Sequence, residues 1–342
     1  MMRLPPFTYL APRTLADAVK AIADHGQEAM LVAGGTDLYP NMKRRQFEPT
    51  TLVGLRGIRE LAGIRRGPDG GLVIGAGTTL SAVAADLDVV RHYPALATAA
   101  GLVSSPQLRN MGTIGGNVCV DTRCNYYNQS HEWRKAVGFC MKKDGDICLV
   151  APGSPRCWAV SSSDTAPVLW SLGARARLVS AAGERTIPID TLYRDDGIEY
   201  LAKRREEILA DLTLPPPDGW RSVYLKLRRR GSFDFPVLGV AVAVRLDGDG
   251  TGGTVRGARI VLGAVASQPR EAASAAAALQ GQRLTGEVIA RVAHLAAGPA
   301  KPLDNTDFTH PYRKRMTRVF VTRALRRLAG LPETLRSEEE VA

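Results

Sequence analysis

The stretch Ala29-Met30-Leu31-Val32-Ala33-Gly34-Gly35-Thr36-Asp37-Leu38 reads as a short apolar strand that runs straight into a glycine pair, a hydroxyl and an acid. Apolar residues over 29–33 suit a buried strand, and the glycines end it while letting backbone approach a ligand closely. Free N–H groups where a helix would begin favour an anion such as a diphosphate, and Thr36 adds a hydroxyl donor. The spacing matches neither GxGxxG nor GxxxxGK[ST], so taken alone the loop is equally open to reading as a plain tight turn. Thr113-Ile114-Gly115-Gly116-Asn117 is a second loop of the same kind. Two glycine pairs, each beside a hydroxyl residue, are better explained by one diphosphate gripped from two sides than by two unrelated turns.

Around the first loop, residues 1–55 read as a β-α-β-like unit. Thr14 followed by Asp17 is a capping-box signature, and Leu15, Ala18, Val19 and Ile22 recur at helical spacing. Gly26 stands at the C-cap, and a strand is expected near 51–55. Residues 56–217 form a second, mixed unit. It has a hairpin at Pro68-Asp69-Gly70-Gly71, helices near 80–86, 94–102 and 166–172, and strands near 175–179 and 208–214. Pro215-Pro216-Pro217-Asp218-Gly219 is the clearest linker. Past it, strands at 222–227, 237–246 and 254–264 precede helices at 270–279, 286–296 and 311–329. Strands followed by helices give an α+β domain over 218–330, a sheet backed by helices. Met316, Phe320, Ala324 and Leu328 share one face of the last helix and read as core. Residues 331–342 read as a polar, frayed tail, and no internal repeat is found.

The chain has 342 residues, 45% hydrophobic and 23% charged, the profile of a globular protein of two or three domains. No segment approaches the 18 apolar residues of a membrane span, and MMRLPPFTYLAPR has no signal-peptide core. A cytoplasmic location is therefore expected, with reduced thiols and no membrane partner. Lys and Arg total 45 against 34 Asp and Glu, a net charge of +11. The runs Arg228-Arg229-Arg230 and Arg313 to Arg327 read as solvated faces, with steering of a small acidic electron carrier as the sharper alternative. Nucleic acid is disfavoured, because aromatics are 6% and do not interleave with the basic runs.

All five cysteines, Cys119, Cys124, Cys140, Cys148 and Cys157, fall between positions 119 and 157, starting two residues after the second glycine loop. No CxxC occurs, which argues against a zinc finger or ribbon, and the compact ferredoxin spacing is also missing. Four thiolates are what a cubane iron–sulfur cluster needs, one soft ligand per iron. Buried cysteines packed as small hydrophobes, or a disulfide-stapled loop, are the alternatives. His131 has no spaced partner. Neither GxSxG nor HExxH occurs, and no carboxylate pair stands out as an acid–base couple, so substrate chemistry is expected elsewhere.

The combination resembles the FAD-binding medium subunit of the xanthine dehydrogenase and carbon monoxide dehydrogenase family of molybdenum hydroxylases. The match runs over residues 4–330. It includes the strand-AGGTDL loop, TIGGN, Ser163-Asp164-Thr165-Ala166-Pro167 before a helix, Glu207-Ile208-Leu209, and Tyr224-Leu225-Lys226. The resemblance implies a two-part FAD-binding domain, 1–55 and 56–217, followed by the C-terminal domain. It implies FAD diphosphate contacts from Ala33, Gly34, Gly35, Thr36, Asp37, Leu38, Thr113, Gly115, Gly116 and Asn117. Asp164 would bind further along the cofactor, Leu209 near the flavin or adenine, and Lys226 at the flavin end.

In that family the segment between TIGGN and the Asp164 motif is short, whereas here it is lengthened over about 119–160. This insertion is similar to one in a single branch, the beta subunit of 4-hydroxybenzoyl-CoA reductase, where it holds an additional 4Fe-4S cluster. Asp121-Thr122-Arg123-Cys124-Asn125-Tyr126-Tyr127-Asn128-Gln129 strengthens that likeness. Cys119 follows the GGN turn directly, so the implied ligands are Cys124, Cys140, Cys148 and Cys157.

The branch implies a large molybdenum subunit and a small 2Fe-2S subunit as partners, in a dimer of heterotrimers. An acidic ferredoxin-type donor would pass electrons through 4Fe-4S, FAD and 2Fe-2S to molybdenum for reductive dehydroxylation of 4-hydroxybenzoyl-CoA to benzoyl-CoA. The rival readings are the FAD subunit of an oxidising hydroxylase on another aromatic or heterocyclic substrate, and a non-enzymatic metal-binding scaffold.

Overall fold

The computed structural model describes residues 3–247 and 252–333; of the tail expected at 331–342, everything beyond 333 lies outside them. The chain opens with strand β1 (Thr8–Leu10), helix α1 (Leu15–His25), β2 (Ala29–Val32), α2 (Leu38–Lys43) and β3 (Thr51–Gly54). These strands form a parallel sheet in the order β1-β3-β2, with Leu31 opposite Val53 in register. A central parallel strand is covered on both faces, and Thr51 to Gly54 is accordingly buried at every position. Thr14 caps α1 by accepting from Asp17 N at 3.1 Å, and its hydroxyl donates to the Asp17 carboxylate at 2.7 Å. Ala18, Val19 and Ile22 are buried on the inner face.

The second unit begins with the hairpin β4 (Ile64–Arg66) and β5 (Leu72–Gly75). Short helices follow: α3 (Leu80–Ala85), α4 (Leu87–His92), α5 (Pro94–Leu102), α6 (Pro106–Arg109), α7 (Ile114–Val118), α8 (His131–Ala136) and α9 (Thr165–Ser171). Strands β6 (Arg175–Ser180), β7 (Gly183–Pro188) and β8 (Ile208–Leu214) complete an antiparallel sheet in the order β4-β5-β8-β6-β7. Strand β8 stitches the two units together. Leu209, Leu212 and Leu214 face the large core with Leu96 and Leu169, while Ile208 and Ala210 pack with Ala18 and Ile22 of α1.

Between α7 and α9 the backbone is mostly irregular, with α8 its only helix. The loop is closed at its stem, where Arg123 and Val160 exchange backbone hydrogen bonds of 2.8 and 2.7 Å. Three further ties fix it to the N-terminal unit. Arg123 pairs with Asp37, Gln46 Nε2 donates to Tyr127 O at 2.6 Å, and Arg134 donates to Arg44 O at 2.8 Å.

Past the linker come β9 (Trp220–Leu227), β10 (Leu238–Leu246), β11 (Val255–Gly263) and β12 (Arg270–Glu271), then α10 (Ala273–Ala277), α11 (Gly286–Ala296) and α12 (His310–Leu328). The sheet is antiparallel in the order β12-β11-β10-β9. Strand β10 alternates between two cores: Val240, Val242 and Val244 face α11 and α12, and Ala241 faces the large core of the second unit. A helix expected over 270–279 is instead a two-residue edge strand followed by a short helix, because Arg270 and Glu271 pair with Leu262 and Val261. Phe320, Ala324 and Leu328 are buried as the stripe implied. Arg313 is buried too, against the reading of its run as solvated; its guanidinium donates to the carbonyls of Val237, Leu303 and Ala264 at 3.0, 2.8 and 2.6 Å. Among the described residues no helix is long and apolar enough to cross a membrane.

Candidate functional site: a long cleft and a cysteine cavity behind it

The C-terminal end of β2 and the N-terminus of α7 face each other across a cleft of about 1140 Å³, large for a small-molecule site. The glycines of the first loop are required by close approach. A Cβ on Gly34 would lie 2.0 Å from Met111 O, so the loop at 33–38 abuts the backbone that leads into α7. Gly35 has φ +69°, and a Cβ there would meet the Tyr39 ring at 2.2 Å. Asp37 is the N-cap of α2 but its side chain makes no capping bond; it accepts from Asn41 at 3.0 Å and pairs with Arg123. In the first turn of α2, Tyr39 N already donates to Gly35 O at 3.1 Å and Pro40 carries no N–H, so of that turn's donors the Leu38 N–H remains for an outside acceptor. Across the cleft, Thr113 Oγ1 accepts from Gly116 N at 3.1 Å and caps α7.

Of the residues expected to hold FAD, Ala33, Gly34, Gly35, Thr36, Asp37, Leu38, Thr113, Gly115, Gly116, Asn117 and Leu209 all line this cleft. The Asn117 side chain is already engaged: its Oδ1 accepts from Ser163 Oγ, Thr165 N and Thr165 Oγ1 at 2.9, 3.1 and 2.7 Å, which fixes the start of α9. Asp164 and Lys226 differ from the expectation, because neither lines the cleft. They form an ion pair at 2.9 Å with side chains 2% and 1% exposed, and Tyr224 donates to Asp164 at 2.7 Å. Burial pushes the Asp164 carboxyl up, countered by Lys226, and pushes Lys226 down, countered by Asp164. Lys226 and Arg228 both donate to Leu102 O, at 3.0 and 3.2 Å, and so fix the turn that carries Val103 and Ser104 into the cleft wall.

The size and the polar, glycine-lined end of the cleft fit a dinucleotide-sized cofactor. Asp121, Tyr200, Lys203 and Phe235 also line it and were not singled out from sequence as cofactor contacts. Asp121 stands in the DTRC stretch, the only signal that pointed to it. Tyr200 and Lys203 lie in a loop without a motif. Phe235 arrives from the C-terminal unit with the Arg123 guanidinium 4.7 Å from its ring centre.

Cys124, Cys140, Cys148 and Cys157 line one small cavity behind the cleft, walled by Tyr126, Tyr127, Met141, Lys142, Leu149, Val150 and Ala159. Cys119 stands apart and lines the cleft. All five are free thiols, and none is paired as a disulfide. Burial pushes the Cys124 thiol up to about 12 and that of Cys157 up to about 11. Among the described residues no group of three or more His, Cys, Asp or Glu side chains is gathered to hold a metal ion. A single ion would need the sulfurs closed on one point at about 2.3 Å, whereas a four-iron cage takes one thiolate at each of four corners. The donor set, four soft ligands in an apolar shell, fits such a cage. The enclosed space is about 10 Å³, so seating one requires the cysteines to turn outwards on their irregular loops.

The family described as the FAD binding domain in molybdopterin dehydrogenase matches residues 5–217, and the CO dehydrogenase flavoprotein C-terminal domain matches residues 222–328. The chain is 33% identical to the aldehyde oxidoreductase FAD-binding subunit PaoB of Escherichia coli K12, covering 85% of this chain and 92% of that one. It is 30% identical to the carbon monoxide dehydrogenase medium chain of Afipia carboxidovorans, covering 94% and 96%. Among solved structures, a carbon monoxide dehydrogenase chain from Hydrogenophaga pseudoflava superposes with a TM-score of 0.78 at 30% identity, covering 95% and 97%.

Proposed function

The chain belongs to the family of FAD-binding subunits of molybdenum hydroxylases, the medium-chain type of carbon monoxide and xanthine dehydrogenases, and we propose that it is the FAD and 4Fe-4S relay subunit of a 4-hydroxybenzoyl-CoA reductase-type enzyme. The observation that carries the proposal is the convergence of Cys124, Cys140, Cys148 and Cys157 on one apolar cavity whose neighbours reach the cleft wall. Bound FAD and a 4Fe-4S cluster would supply electron transfer between a low-potential acidic ferredoxin-type carrier and a small 2Fe-2S subunit serving a large molybdenum subunit, where two electrons and two protons remove the phenolic hydroxyl as water.

This chain's own part is to hold and insulate. Gly34 and Gly35 admit the diphosphate, the Thr36 hydroxyl lies beside them in the cleft wall, and Leu209 closes the apolar side of the cleft. Asp164 and Lys226 hold the wall at Leu102 without touching the cleft. The apolar shell of Tyr126, Met141, Leu149 and Val150 keeps water from the thiols. A proton-transfer site on substrate is not required of these residues, and the excess of basic side chains suits an acidic carrier.

The test is made on the assembled complex of three subunits. With a reduced low-potential donor and 4-hydroxybenzoyl-CoA, the proposal expects benzoyl-CoA to form. A second reading, an oxidising hydroxylase with the cysteine loop as an extra electron exit, draws on relatives named for aldehyde and carbon monoxide. Bleaching of the flavin by an aldehyde or a heterocycle, without any dehydroxylation, would favour that reading instead.

A further inference from the structure

Lys142 lies two residues beyond Cys140 and lines the cysteine cavity, yet its ammonium is directed away from the surface, with a side chain 6% exposed. Its Nζ donates to Asp121 Oδ1 at 2.7 Å, Thr122 Oγ1 at 2.9 Å and Gly197 O at 2.5 Å. Three donors therefore meet three acceptors. The ammonium also stands 4.8 Å from the ring centre of Tyr127, which walls the cysteine cavity, and 5.6 Å from that of Tyr200, which walls the cleft. Asp121, its carboxylate partner, has a side chain 7% exposed and lines the cleft. The partition between the two sites thus holds a buried cation on the cysteine side and a buried anion on the cleft side, beside the buried Arg123 that precedes Cys124 and pairs with Asp37.

We propose that Lys142 and Asp121 form a charge-separated bridge that sets the reduction potential of the cysteine-bound cluster relative to the flavin, Lys142 raising it and Asp121 lowering it. The proposal rests on the 4Fe-4S reading above. Its physics is ordinary: adding an electron to a centre already ringed by thiolates is favoured by a nearby positive charge and opposed by a negative one. Burial away from water keeps both influences from being screened. The order of the charges matters, because Lys142 is the nearer to the thiols and Asp121 the nearer to the flavin cleft. Neither residue touches a substrate or exchanges protons with one; both act through the centres they flank and are positioning residues.

The experiment is a redox titration of the holo-complex followed by electron paramagnetic resonance of the cluster and absorbance of the flavin, with iron and FAD counted in each sample. Lys142→Met is expected to lower the cluster potential and Asp121→Asn to raise it, with iron content held and the potentials compared on the fraction of each sample that carries both iron and FAD, since Asp121 lines the flavin cleft. Lys142→Arg keeps the charge and is expected to stay near the wild-type potential. The double variant Lys142→Met with Asp121→Asn leaves no charge uncompensated and covers the case in which a single variant fails to fold. Because the lysine is the nearer charge, the double variant is expected below wild type, less so than Lys142→Met alone. Opposite shifts from the two single variants are a signature that a merely structural role would not give. Iron-loaded variants with unmoved potentials, shifts of the same sign, or a double variant at or above wild type would overturn the bridge while leaving the 4Fe-4S reading intact. Wild-type complex without iron would instead remove that reading, and the bridge with it.

Discussion

Gly34 has no room for a side chain: the nearest atom to an added Cβ is a backbone oxygen, Met111 O at 2.0 Å, which cannot swing aside as a side chain would. Gly34→Ala is therefore expected to part the two glycine loops and lower FAD content at least tenfold, read by absorbance of the purified protein. The loops themselves were legible as a pair, because two glycine pairs each beside a hydroxyl are better explained by one diphosphate than by two unrelated turns, whereas either alone reads equally as a tight turn. What sequence could not show was contact. Asp164 and Lys226 lie in recognisable motifs, yet they satisfy each other behind the wall, since an unpaired charge buried there would cost several kcal/mol. Glu207 makes the pH dependence of such groups testable. Hydrogen bonding from Arg185, at 2.6 and 2.9 Å, holds its carboxyl below the usual range. The folded value lies below the unfolded one, so its stabilisation is present above the unfolded pKa of about 4.3 and is lost as pH falls through the folded value. Melting temperatures of wild type and Glu207→Gln are expected to differ at pH 7 and to converge as the pH is lowered below 4.3.

At the scale of elements, the cysteine loop and α12 show how differently pattern and packing inform. Strand β8 and helix α11 were read from the sequence to their observed ends, β8 as a short run of mostly buried apolar residues before the proline linker and α11 by its helical apolar period. The segment 270–279 was misread because a run of alanines has no period to distinguish an edge strand from a helix. Arg313 was misread because a charge run hides its one inward member: only the tertiary positions of Val237, Ala264 and Leu303 supply the carbonyls it serves. Burial lowers its guanidinium to about 10. Arg313→Met is expected to destabilise the C-terminal unit by about 3 kcal/mol, measured by chemical denaturation, since three buried carbonyls lose their donors. The cysteine loop has almost no regular structure, so its path was beyond pattern, though its thiol content was not. Alanine at Cys124, Cys140, Cys148 or Cys157 is expected to remove iron while FAD stays bound, and Cys119→Ala to leave iron in place, both read by metal and flavin content.

For the whole molecule, three units share their walls. The N-terminal unit offers one glycine loop, the second unit the other and the cysteine loop, and the C-terminal unit closes the cleft with Phe235 and buries Tyr224 and Ala241 in the large core. The order of units along the chain was legible from the linker at 215–219 and from the change from mixed to strands-then-helices patterning. Their juxtaposition was not, because it depends on side chains such as Gln46, Arg123 and Arg134 that cross between units and carry no local signal. The proposed relay places two adjacent redox sites in this one body, and its most direct test is the content of iron, acid-labile sulfide and flavin in anaerobically purified protein. It predicts one FAD with about four irons and four sulfides per chain and a paramagnetic cluster signal on reduction; flavin bound at full occupancy with no iron or sulfide would contradict it.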